Sequence, residues 1–223
     1  MSKIAQAVMV AACLMGAGAA HAQLGGLGGL MGGGAKNTGG DIGADVNTFM
    51  GQSVALSTLA SRSLVAINSA FLSAEESAVI KAEQDAINKL TDTNEKQART
   101  AKLYESQSAA TKRLVDSGDM KARMASLDSE GRKQIGNALF NFGIGGLQAV
   151  ELSKTGQSLV SKAGANPMAL PKVMPVKDAL PLLGKVVSDS GGVMVGVAKL
   201  AQGAKIDVPK VSASSKPVEI GAF

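Results

Sequence analysis

Cysteine, histidine and tryptophan are nearly missing from this chain. Its 223 residues include one Cys, one His and no Trp, with one Tyr and five Phe. Cys13 and His21 both fall in the first 22 residues, which read as a cleavable segment, so residues 23–223 offer neither a thiol nor an imidazole. That excludes nucleophilic catalysis by a Ser–His or Cys–His pair. Zinc and copper lose their usual ligands. No disulfide can form, so stability must come from a hydrophobic core, which a chain of this length can bury. A Ser–Lys dyad is the nucleophilic pair that composition leaves open, and no particular pair stands out.

Other chemistries are thinly supplied as well. With so few aromatics there is little surface on which a sugar or a base could stack. Glu75, Glu76, Glu83 and Asp85 could be drawn as paired carboxylates, but they sit at a helix start, where dipole compensation and salt bridges account for them. Asp41, Asp45 and Asn47 lack the twelve-residue calcium loop and its closing Glu. The expectation is a protein that is not an enzyme and uses no cofactor or metal.

What is present first is an address. Lys3, an apolar run over 4–15 and Ala20-His21-Ala22 make a secretory signal over residues 1–22, with Gln23 as the new N-terminus. Val10-Ala11-Ala12-Cys13 resembles a lipobox and gives the alternative of a lipoprotein anchored at Cys13. Either way the expected location is periplasmic or secreted. Residues 23–40 are a Gly-rich linker. They hold no G-K-[ST], so they form no phosphate loop.

The remainder reads as all-α: a helical domain over 41–205, built as a bundle of about four main helices with an irregular, Pro-punctuated C-terminal segment, and then a flexible basic tail over 206–223. Residues 41–72 form a helix with apolar side chains every three or four positions and Arg62 as the only charge between Val46 and Ala74. Residues 75–133 hold eleven acidic and eleven basic side chains, a solvated helical hairpin by pattern. Ser73 and Glu76 make a capping box at its start. Residues 130–162 form one long helix whose first half, 134–150, carries no charge and is interrupted by Gly136, Gly143, Gly145 and Gly146. These glycines imply close approach by a neighbouring helix, and residues 41–72 are the natural partner. Asn166-Pro167 ends the helix. Pro171, Pro175 and Pro181 imply extended or turning chain over 168–182, with a short helix possible over 178–187. Residues 188–192 read as a turn and 193–202 as a helix rather than a strand.

Lysines outnumber acids nine to five over residues 134–223. They are dispersed, which fits an anionic envelope surface better than nucleic acid. The expected function is binding a protein partner in the periplasm or cell envelope. The alternatives are a carrier holding a lipid or other apolar ligand between the low-charge helices, and a membrane-active protein that inserts the glycine-laced helix. Phe49, Leu56, Ile135, Leu139, Phe140, Phe142, Gly143 and Leu147 are the candidates for the apolar interface or ligand lining.

Overall fold

The structure, a computed structural model, describes residues 42–165, 167–212 and 214–221. The signal and linker expected over 1–40 lie outside the described residues. Among the described residues the fold is all-α. Helix α1 spans Ile42–Ser69, α2 Ala74–Asn88, α3 Thr93–Asp116, α4 Asp119–Ser126 and α5 Ser129–Gly164. Two 3-10 turns, Pro167–Ala169 and Pro171–Val173, lead into α6, Met174–Gly191, and α7, Val193–Gly203.

The two low-charge helices do pair. α1 and α5 share the most extensive interface in the fold. Val46, Phe49, Leu56, Ala60, Leu64 and Ile67 of α1 meet Ile135, Ala138, Leu139, Phe142 and Leu152 of α5 in one core. α6 closes that core from another side with Val176, Ala179, Leu183 and Val186. Arg62, the lone charge in α1, is half-buried. Burial pulls its guanidinium below the usual range, and Asp85 partly offsets this.

Helix ends follow local chemistry. The Glu76 N–H donates to Ser73 Oγ (3.2 Å) and the Ser73 N–H to Glu76 Oε2 (2.9 Å), which completes the capping box. Asp92 Oδ1 caps α3 by accepting from the Glu95 N–H (2.7 Å), and Asp128 Oδ1 caps α5 by accepting from the Gly131 N–H (2.8 Å). Gly118 takes φ 79° just beyond α3 and turns the chain into α4. Across the charged hairpin Arg99 donates twice to Glu83 (2.8 and 2.9 Å).

The C-terminal third differs from expectation. Where proline implied extended chain over 168–182, α6 runs unbroken from Met174 to Gly191 with Pro181 inside it. Pro175 sits in the first turn, where its missing N–H would have had no partner. Pro181 is on the solvent side and removes one helical bond, while Val176, Ala179, Leu182, Leu183 and Val186 bury the opposite face and hold the helix together. The turn expected at 188–192 is likewise helix up to Gly191. Val193–Gly203 is helix, as the pattern favoured.

The tail is placed rather than loose. Ile206 is buried, and the following residues run along α5 past Gly136 and Gly143. A turn with the Ser215 N–H on Ser212 O (3.1 Å) reverses them. They return beside Asn141, Asn137 and Gln134. The neighbour that needs Gly143 is therefore this strap and not a helix. A Cβ there would stand 2.7 Å from Val211 Cγ2, and at Gly136 it would strike the Asp207 carbonyl oxygen. Gly146 and Gly156 do serve helix packing, against Ser190 of α6 and against Phe49 of α1 with Leu180 of α6. Gly143→Ala should accordingly destabilise the fold by about 1–3 kcal/mol, as overpacking does. A free or lipid-facing position would instead gain up to about 1 kcal/mol in helix propensity, so the sign of the change in denaturation midpoint decides.

Candidate functional site

Two kinds of feature compete for a functional role: a largely buried polar cluster where three helices meet, and clefts at the surface. The cluster is built on Asp189 of α6, which is 8% exposed. Its Oδ2 accepts from Tyr104 Oη (2.8 Å) and Ser108 Oγ (2.7 Å), both on α3. Lys185, one turn earlier on α6, donates to Oδ2 (3.0 Å), to Oδ1 (3.3 Å) and to Ser108 Oγ (3.2 Å). Tyr104 also stacks on Phe142 of α5, with ring centroids 6.3 Å apart, and Lys185 Nζ lies 5.9 Å from the Tyr104 ring centre. Three helices meet here.

Ser108 and Lys185 form the pair that composition alone could not select. Its geometry suits a tie better than a nucleophile. The Ser108 hydroxyl proton is directed at Asp189, the lysine is engaged by the same carboxylate, and Ser108 is 3% exposed. It lines neither of the surface clefts described below.

Burial and the Asp189 carboxylate push the Tyr104 phenol well above its ordinary value of 10. The folded state therefore keeps its proton while the unfolded state loses it above pH 10. The stabilisation is complete below pH 10 and falls by about 1.4 kcal/mol per pH unit above it. Tyr104 is the only tyrosine, so tyrosinate absorbance reads it without interference. At pH 11 that absorbance should rise only when the protein unfolds.

A second polar seam joins α1 to α3. Asn68 Nδ2 donates to the main-chain oxygen of Gln107 (3.0 Å) and to its Oε1 (2.8 Å), and Thr111 Oγ1 donates to Asn68 Oδ1 (2.8 Å). Gln97 bridges Ser53 and Ser57. A charge-poor helix thus meets a charge-rich one through amides and hydroxyls that fix their register.

Two clefts open at the surface. One, of about 370 Å³, lies between α1, α3 and α6 and is lined by Met50, Asn94, Gln97, Ala98, Ala101, Met174, Pro175, Asp178 and Leu182. The other, of about 300 Å³, lies between α5 and α6 and is bordered by Val150, Leu180 and Val187 with Ser153, Lys154 and Gln157. Met174 at the first cleft is 49% exposed, and Leu170 and Met168 just before it are 38% and 84% exposed.

The residues expected to form an interface or ligand lining are placed as follows. Phe49, Leu56, Ile135, Leu139 and Phe142 come together in the main core. Phe140 joins Leu59 and Ile144 in a smaller cluster that Val211 covers, and Gly143 lies beneath the same valine. Leu147 stands apart and is 46% exposed. None of them lines either cleft. Sequence reasoning passed over Tyr104, Ser108, Lys185 and Asp189. The readable signal was the Lys185–Asp189 spacing of four on a helix, hidden because Asp189 lies in a Ser-Asp-Ser-Gly-Gly run that reads as a turn.

Among the described residues one stretch, Pro167–Gly203, is apolar enough by length and composition to cross a membrane, and only a third of its most apolar window is buried within the fold. Comparison with known proteins returns no matching family, no matching curated protein and no matching solved structure.

Proposed function

We propose that this chain is an exported, non-catalytic helical protein that acts by binding a protein partner in the periplasm or cell envelope. The observation that carries the reading is the exposed run Met168, Leu170 and Met174 leading to the open cleft between α1, α3 and α6. Methionine is flexible and polarizable, and exposed methionines are characteristic of adaptable protein-binding surfaces. Asn94, Gln97 and Asp178 supply polar groups around that cleft, as a rim around an apolar centre requires. The carrier alternative loses ground because the low-charge helices, where a ligand was expected, are packed against each other. What remains for it is the 370 Å³ cleft, near the lower end of small-molecule sites.

Native mass spectrometry of the mature protein, with and without liposomes and with a fractionated envelope extract, separates the readings. The expected result is a ligand-free protein that ignores liposomes and forms one stoichiometric complex, weakened by Met174→Glu. A retained small lipid would favour the carrier. Assembly on liposomes would favour the membrane-active alternative.

A further inference from the structure

The strap over residues 206–212 and 214–221 seats Ile206 in the core and Val211 over Gly143, and its returning half is held through its main chain. Asn141 Nδ2 donates to Val218 O (2.7 Å) while the Val218 N–H donates to Asn141 Oδ1 (2.8 Å), so one side-chain amide pairs with both polar groups of one residue's main chain. Asn137 Nδ2 adds a bond to Glu219 O (3.0 Å). Gly136 and Gly143 leave room for Asp207 and Val211, and Gly221 lies against Gln134. The amide stripe of α5 is thus a groove for extended chain, and here the chain's own strap fills it.

The hinge that leads into the strap is strained. α7 ends with the Ile206 N–H on Ala201 O (2.9 Å) and the Lys205 N–H on Gln202 O (3.0 Å). This double closure normally places glycine at the left-handed position. Lysine stands there instead, at φ 59°, the only non-glycine with positive φ among the described residues. A short strained hinge before a segment that docks by main-chain bonds favours exchange of that segment between identical chains. In an exchanged form the strap's contacts to α5 are kept, and the closure onto Ala201 and Gln202 is what changes.

We propose that the C-terminal strap exchanges between two copies of this chain, each lying in the α5 groove of the other, with Lys205 as the hinge. The inference is independent of the partner-binding role above. Chain concentration and hinge strain set the balance, since the closed form benefits from the strap's high local concentration. The test is the mass distribution of the mature full chain by analytical ultracentrifugation over a wide concentration range. Lys205→Pro cannot take positive φ and should shift the protein to dimer. Lys205→Gly relieves the hinge strain of the two closed monomers that would form a dimer and should lower the dimer association constant by about tenfold or more relative to wild type. Adding Asn141→Ala to Lys205→Pro should reduce the dimer fraction, whereas adding Met174→Glu should not. Monomers at every concentration for wild type and both hinge variants would overturn the proposal. So would a dimer indifferent to Asn141→Ala, or loss of helix content in Lys205→Pro with Lys205→Gly matching wild type. A chain that stays monomeric yet binds a free peptide of residues 206–221 would point to a separate partner and would also overturn it.

Discussion

Phe142→Ala is expected to cost roughly 3–5 kcal/mol in chemical denaturation, the range for deleting a buried ring from a packed core. Phe142 has no exposed surface. It sits where α5 meets both the α1 core and the Tyr104 ring. Truncation leaves a void that two well-anchored neighbours cannot readily fill. Tyr104 is held by its bond to Asp189, and α1 is tied to α3 through Asn68, Gln107 and Thr111. A site that cannot collapse falls at the upper end of the range. For a domain of this size such a loss is a large fraction of total stability. A loss below about 1 kcal/mol would mean that the core relaxes around the gap and that Phe142 is not its keystone. Measuring the denaturant slope alongside the midpoint checks that only stability has moved.

The prominence of Phe142 was legible in the sequence, and so was most of the fold up to Gly164. Apolar side chains at three- and four-residue steps located α1 and α5, and the near absence of charge paired them. Ser73 with Glu76 marked a boundary to the residue. These signals are local, and local chemistry decided them. After Gly164 the local signals point one way and the tertiary ones another. Pro181 and the run from Ser188 to Gly192 are breakers by composition, yet a buried apolar face and a buried carboxylate keep α6 helical through Pro181 and on to Gly191. The strap was illegible for a related reason. Its serines and prolines read as loose chain, and its apolar residues Ile206, Val208, Val211, Val218 and Ile220 are too scattered to show a helical or strand period. The partner signal was on α5, in the line of Gln134, Asn137 and Asn141. Within it Asn137 and Asn141 bind the strap's main chain, while Gln134 donates to Glu130 and lies against Gly221.

The Asp189 cluster was hidden most completely, and its energetic weight should be easy to measure. Asp189→Ala strands the hydroxyls of Tyr104 and Ser108, both buried and both now without an acceptor at Oδ2. Each stranded group costs about 1–3 kcal/mol. Lys185 adds little, because its side chain is 38% exposed and can turn to water. The expected loss is therefore about 2–5 kcal/mol. Asp189→Asn keeps one acceptor oxygen and should lose less. The decisive measurement is a double-mutant cycle with Tyr104→Phe. Removing the phenol hydroxyl first leaves one donor fewer to strand, so the two changes together should cost less than their sum, by about 0.5–3 kcal/mol for groups in one network. Strict additivity would mean that water reaches the Tyr104 hydroxyl once Asp189 is gone. The centre of the bundle would then be open enough for solvent, and the Ser108–Lys185 pair would have to be reconsidered as a reactive group rather than a tie between α3 and α6.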